Sequence, residues 1–267
     1  MAGPGSELGK VFASRAEAAG HEFPAEGPVD VFLDLQQQAV NTLLDDGHAW
    51  KGYTDRALDR TRRALRAAER RSARMFVLAS FSWLRAAPGS AAPGDPLRTI
   101  LETALQVEDA VLAAKQPACV LRLGYLYGPR LRDMRAYRDA FRVGRPYWSG
   151  PRNVRHDFLH HDDAASALLA RAAAGPGQAL AYATDGHPMA FRQVMDDFAR
   201  QVGNPLPLHL GGAMGLTAWL IIKQEHMQAV KYGVPAAPPL PTLAGWRPEF
   251  EDYRDGLTAT LAAWERD

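Results

Sequence analysis

Two tyrosines, Tyr125 and Tyr127, precede a Gly-Pro turn in Val120-Leu-Arg-Leu-Gly-Tyr-Leu-Tyr-Gly-Pro129. A phenol moves a proton when its surroundings tune it, so both are candidate acid/base groups. Ser80 and Ser82 follow the apolar run Met75-Phe-Val-Leu-Ala79 and join them as candidates. His156, His160 and His161 run into Asp162 and Asp163. Histidine titrates near neutrality, which makes His160 a further acid/base candidate. Histidine and carboxylate this close could hold a metal, but the favoured reading is an aspartate pair capping a helix, with no metal. Between these groups, Arg132, Arg135, Arg138, Arg142 and Arg145 interleave with Tyr137, Tyr147 and Trp148. Arginine with aromatics suits an anionic or planar substrate; an exposed helix and loop is the plain alternative. Trp83, Arg85, Arg135, Tyr137 and Tyr147 are the candidate substrate contacts.

The elements that must position these groups follow from periodicity. Leu8, Val11, Phe12 and Ala16 share one helix face, and Gly20 ends that helix. Val29-Asp-Val-Phe-Leu-Asp-Leu35 is a buried strand, and Thr54 to Arg71 is a helix with arginines outward. Those arginines read as a solvated face. The strand Met75 to Ser80 leads through a Pro/Gly/Ala loop, Leu84 to Pro96, into a helix from Leu97 to Lys115. The strand at Val120 then delivers its tyrosines to the top of a parallel sheet, where open α/β folds place ligands. Phe191, Val194, Met195, Phe198 and Val202 form a helix stripe and are read as core. The apolar stretch Met214 to Ile222 reads as a core or interface helix, being shorter than the ~20 residues a membrane span needs.

Composition narrows the function classes. The chain has 267 residues with 31 basic against 30 acidic, which argues against a nucleic-acid or anionic-membrane surface. One cysteine, Cys119, allows no internal disulfide and fits a reducing cytoplasm; it reads as a small buried residue. No signal peptide is visible.

Four segments in order also resemble the extended short-chain dehydrogenases, the NAD-dependent epimerase/dehydratase family. Leu121 to Pro129 resembles its "LR-x-G-x-x-YGP", and Phe158-Leu-His-His-Asp-Asp-Ala-Ala165 its "F-V-H-V-D-D-x-A". Tyr182-Ala-Thr-Asp-Gly186 and Gly245-Trp-Arg-Pro248 resemble two later motifs. The resemblance implies a Rossmann-like α/β fold, a doubly wound parallel sheet with a small C-terminal substrate lobe. Residues 1–130 would hold the core, and 131–267 the remaining core and the lobe. It implies that Gly3, Ser6 and Gly9 occupy the three glycine positions of the dinucleotide loop, with Ser80 beside the cofactor. It implies that Ser80-Phe-Ser82 carries the catalytic serine.

The sequence departs from the family at three places. If Met1 is the true start, no strand precedes the Gly3–Gly9 turn; the second and third strands are largely missing between Phe23 and Val29. The sheet is therefore expected to be truncated. If Glu108 is the family's glutamate after its Tyr-x-x-x-Lys pair, Ile100 and Ala104 stand at the tyrosine and lysine positions. Neither moves a proton. The expectation drawn is an enzyme of secondary metabolism acting on a small molecule by lyase, isomerase or cyclase chemistry, with no cofactor favoured. NAD(P)-dependent epimerase, dehydratase or ketoreductase chemistry is the alternative, and a non-catalytic partner subunit the third. The unpaired edge of Val31 to Leu35 is expected to be covered by the N-terminal helix, a second copy in a homodimer, or another partner.

Overall fold

The computed structural model describes residues 1–36, 52–86, 92–210 and 222–266. The stretch Met214 to Ile221, part of the Pro/Gly/Ala loop, and Gln37 and Gln38 lie outside them.

Four parallel strands form the central sheet in the order β1-β2-β3-β7. They are β1 (Val31–Asp34), β2 (Met75–Phe81), β3 (Ala118–Leu123) and β7 (Leu180–Ala183). Each alternates two apolar faces, as strands covered on both sides must. One face meets α1 (Glu7–Ala18) and α5 (His161–Ala173), burying Val11, Phe12, Leu33, Val77, Leu121 and Leu168 together. The other meets α2 (Tyr53–Arg70) and α3 (Asp95–Leu112), burying Phe32, Ala64, Ala68, Phe76, Leu78 and Val111. This is the α/β arrangement that the alternation of strand and helix patterns implies.

The inward face of α2 is built from small residues. Ala57, Thr61, Ala64 and Ala68 are buried at helical spacing; Arg62, Arg63 and Arg66 face outward, whereas Arg60, expected on the solvated face, lines a crevice with its Nε buried. Small residues let α2 lie close to α3. Cys119 is buried and accepts a hydrogen bond from Arg171 Nε at 2.9 Å.

The expected gap before the Gly3–Gly9 turn is partly filled. Ala2 bridges to β1 in parallel, donating its N–H to the Leu33 carbonyl at 2.7 Å and accepting from the Leu35 N–H at 3.0 Å. One residue thus stands in for a strand and covers part of the open edge. The segment ahead of the N-terminal helix does this, and α1 itself lies on the sheet face.

A second departure follows Leu123. The chain does not turn directly into a loop; it makes β4 (Tyr125–Tyr127), which pairs in parallel with β6 (Phe158–His160). Gly124 permits the crossing, because a Cβ there would lie 2.8 Å from the Phe158 carbonyl oxygen. Around this pair gather α4 (Arg132–Arg142), β5 (Arg155–His156), β8 (Met189–Ala190), α6 (Phe191–Gln201), α7 (Gln224–Lys231) and α8 (Tyr253–Arg266). Their core is aromatic, with Tyr137, Phe141, Tyr147, Phe158, Phe191 and Phe198 in contact.

Candidate active-site crevice

Sheet register brings three polar residues side by side. Ser80 pairs with Arg122, and Arg122 with Tyr182, in adjacent strands. Side chains alternate along a strand, so laterally paired residues share a face. All three point toward α3, which supplies Glu108. Arg122 Nη2 donates to Glu108 Oε2 at 2.6 Å, its Nε to Oε1 at 3.0 Å, and its Nη1 to the Tyr182 hydroxyl at 2.6 Å. Ser80 donates its hydroxyl hydrogen to Glu108 Oε1. In the sequence Glu108 is only a register mark and Arg122 only part of a family motif. A buried charge within an apolar run was the available signal, since such charges need partners.

Above this network lies a crevice of about 580 Å³ at the C-terminal ends of β1, β2 and β3. Open α/β folds place ligands there. Its walls come from Ser6 to Leu8, from Leu35 and Gln36, from Ala79 to Trp83, and from Leu123 to Leu126. The far wall is α4, with Leu131 to Met134 and Tyr137, and Met195 of α6. Met195, read as core from its stripe, is thus also a wall of the crevice.

The Gly3–Gly9 turn is tight. Gly3 has φ +84°, and a Cβ on it would meet the Leu35 carbonyl at 3.0 Å. A Cβ on Gly9 would fall 2.4 Å from the Gly3 oxygen. Ser6 does not obstruct the turn. Its hydroxyl folds back, donating to the Gly3 carbonyl at 2.8 Å and accepting from the Gly9 N–H at 3.0 Å, and so caps α1. The first N–H groups of a helix have no acceptor within it. Glu7 and Leu8, in the first turn of α1, line the crevice. Glu7 is an acidic neighbour there; its Oε1 accepts the Arg132 backbone N–H at 3.0 Å, across the crevice mouth.

The sequence candidates divide by position. Ser80, Ser82, Trp83, Tyr125 and Tyr137 line the crevice, together with Ser6. Ser82 is buried and hydrogen-bonds Asp157. Burial raises the Tyr125 phenol far above its usual range, with Asp133 adding to the effect.

The remaining candidates lie elsewhere. Tyr127 shares a face with Tyr125, but two residues further along β4 it is under α8, where its hydroxyl has no hydrogen-bond partner among the described residues. His160 is buried as the N-cap of α5: its Nδ1 accepts the Asp162 N–H at 3.3 Å. Capping therefore falls to this histidine and not to the aspartate pair. Asp163 instead accepts the Glu249 and Phe250 N–H groups, tying down the C-terminal segment. Burial lowers His160 to about 4. His160, His161 and Asp162 converge closely enough to hold an ion. However, His160 Nδ1 and His161 Nε2 already accept backbone N–H groups, from Asp162 and Arg130. Arg85 grips Asp157 with Nε at 2.7 Å and Nη2 at 2.5 Å. Arg135 is exposed and donates to the Pro129 carbonyl. Tyr147 donates to Asp196 at 2.7 Å within the aromatic core.

Ile100 and Ala104 are buried in α3, against Leu78, Thr103 and Val107. The space beside them is about 20 Å³, room for roughly one water.

Comparison with known proteins adds to this geometry. No protein-family model matches the chain. A curated Streptomyces protein named 3-diazoavenalumate denitrifying reductase is 31% identical over 171 residues, covering 62% of this chain. The match spans about half of that relative, 54% of its length. Among solved structures, human epimerase family protein SDR39U1 (isoform 2) with NADPH superposes with a TM-score of 0.76 at 15% identity, covering 98% of both chains. Bordetella bronchiseptica WbmG with NAD and UDP gives 0.73 at 16% identity, covering 99% of this chain and 94% of its own. MoeE5 with UDP-glucose and NAD gives 0.70 at 17%, covering 99% and 97%. The likeness to the extended short-chain dehydrogenases therefore holds in three dimensions: this chain has their fold. The expectation of no cofactor is overturned. Structures that match it over nearly the whole chain hold NAD or NADPH.

Proposed function

We propose that the protein is an NAD(P)-dependent reductase whose substrate needs no proton from the protein. The observation that carries this reading is a pairing. The crevice opens onto the Gly3–Gly9 turn as a dinucleotide requires, while the hydroxyls that line it are buried or already engaged; the alignment on Glu108, which would put Ile100 and Ala104 at the family's tyrosine and lysine positions, agrees with this.

The residues present fit the cofactor. Glycine at 3 and 9 lets the turn pack against the end of β1, which leaves the first N–H groups of α1 to meet a pyrophosphate. Leu35 and Gln36 flank the same end of the crevice, and Ser80 lies further in. Bound there, a reduced nicotinamide supplies a hydride.

The chain's own groups near the crevice are poor acids. Ser80 has its hydrogen on Glu108, which Arg122 keeps paired. Ser82 is engaged with Asp157. Burial holds the Tyr125 and Tyr137 phenols protonated. Reducing a carbonyl leaves an alkoxide that must be protonated. Replacing a diazonium group by hydride breaks C–N, forms C–H and releases dinitrogen, with no proton needed. The relative named for denitrifying a diazo compound supports that class of substrate. With Ile100 and Ala104 read at the family's relay positions, their apolar character is then no defect.

The test is to titrate the protein with NADPH and with NADH by fluorescence, then follow oxidation of whichever binds, with a diazo substrate and with its matched carbonyl compound. Oxidation with the diazo compound alone is expected. Turnover of the carbonyl compound alone, or binding of neither NADPH nor NADH, overturns the reading.

A further inference from the structure

The end of the crevice formed by α4, α6 and the turn after β2 differs in character from the end at α1. Its walls are Phe81, Trp83, Tyr125, Met134, Tyr137 and Met195. Rings and thioethers are polarisable and suit a flat aromatic partner.

These walls are held before any ligand arrives. Trp83 donates its indole N–H to His156 Nδ1 at 3.3 Å and meets the Tyr125 ring edge to face, centres 5.8 Å apart. Tyr125 in turn packs on Phe158 at 5.6 Å and Phe191 at 5.8 Å. The Tyr137 hydroxyl lies 3.3 Å from His226 Nε2, in a fully buried pair. Anchored rings lose little freedom on binding, which favours affinity. Polar features here are sparse. The Asp133 carboxylate acts electrostatically on both Tyr125 and Tyr137.

We propose that this end of the crevice binds a planar aromatic ring without a phosphate, and not a sugar nucleotide such as the one MoeE5, of the same fold, carries. The inference rests on the reductase reading for the placement of the cofactor at the other end. Trp83 and Tyr137 are its specificity-determining walls.

Calorimetric titration tests it, using 4-hydroxybenzamide and UDP-glucose as probes, each with and without NADPH. Saturable binding of 4-hydroxybenzamide is expected, with UDP-glucose inert. Trp83→Leu and Tyr137→Leu are expected to weaken the ring probe at least tenfold and leave the NADPH affinity unchanged; Arg135→Ala, on the surface, changes neither. Binding of UDP-glucose in preference to the ring, or wall variants with wild-type ring affinity, overturns the proposal. Ring binding by a protein that takes up neither NADPH nor NADH supports the aromatic wall and overturns only the reductase reading. Should Trp83→Leu unfold, Met195→Trp fills the same end from the opposite wall. Loss of ring binding then supports the proposal, and retention overturns it.

Discussion

Arg122 Nη2 sits 2.6 Å from Glu108 Oε2 beneath the crevice floor, where neither side chain meets much water. The pair is held from both sides, by Ser80 on the carboxylate and Tyr182 on the guanidinium. Removing one member leaves the other charged and buried without its partner. Glu108→Ala is expected to cost about 3–5 kcal/mol. The double change Glu108→Leu with Arg122→Met restores most of that loss, since buried ion pairs exchange for apolar residues at little cost. Urea denaturation of the three variants checks this. A double variant no more stable than Glu108→Ala alone would sink the argument.

The turn ahead of α1 gives a contrast between two glycines. A Cβ on Gly9 would overlap the Gly3 oxygen at 2.4 Å, whereas one on Gly5 meets nothing within 4 Å. Gly9→Ala is expected to lower Tm by several degrees and to raise the NADPH dissociation constant at least tenfold. Gly5→Ala leaves Tm unchanged. Thermal melts with and without NADPH separate the two effects.

Asp185 gives a pH prediction. One of its carboxylate oxygens accepts the His187 N–H at 3.0 Å; the other is buried without a partner among the described residues. Burial raises its pKa from 3.8 to about 8, helped by nearby Asp157, Asp252 and Asp163. Between those values the folded protein holds a proton that the unfolded chain has released. This group's contribution is therefore complete below 3.8 and lost as pH rises through about 8. Asp185→Asn removes that dependence. Its stability relative to wild type is expected to rise with pH across this window, by up to about 1.4 kcal/mol per unit. Denaturation at several pH values reads the slope, and parallel curves would contradict it.

Tyr127 offers a gain from a deletion. Its hydroxyl is buried, unpartnered among the described residues and pressed against Gly256. An unsatisfied buried polar group costs about 1–3 kcal/mol. Tyr127→Phe is expected to leave stability equal or higher, with NADPH affinity unchanged because the residue lies outside the crevice. A clear fall in Tm would show that a water serves the hydroxyl.

How far each feature was legible follows from what each depends on. The second sequence motif shows the limit well. The fragment Phe158 to Ala165 was identified correctly as the entry to a helix, yet the capping group is His160 and not an aspartate. Composition at a cap is visible; which of several adjacent acceptors reaches the N–H depends on the incoming strand. Tyr125 and Tyr127 are equivalent by type and by strand face. Two residues of rise, about 6.6 Å, separate a crevice wall from a core position. The cofactor expectation failed for a related reason. That expectation rests on side chains and on missing strands (Ser6, the reduced second- and third-strand segment, and Ile100 and Ala104 as read from Glu108), but backbone at the Gly3–Gly9 turn shapes that site. Backbone geometry depends weakly on one Ser6 substitution when its hydroxyl folds inward.

The succession of the four core strands and the helices between them, and their apolar faces, were legible in the sequence by itself, because periodicity is a local property of the chain; the short strands β4, β5, β6 and β8 were not. Only the tertiary structure decided which polar groups meet. Strand register sets Ser80, Arg122 and Tyr182 in one row, and helix packing brings Glu108 to them from a distant segment. No local pattern encodes a lateral pairing, since it depends on how separate strands slide against one another before they lock.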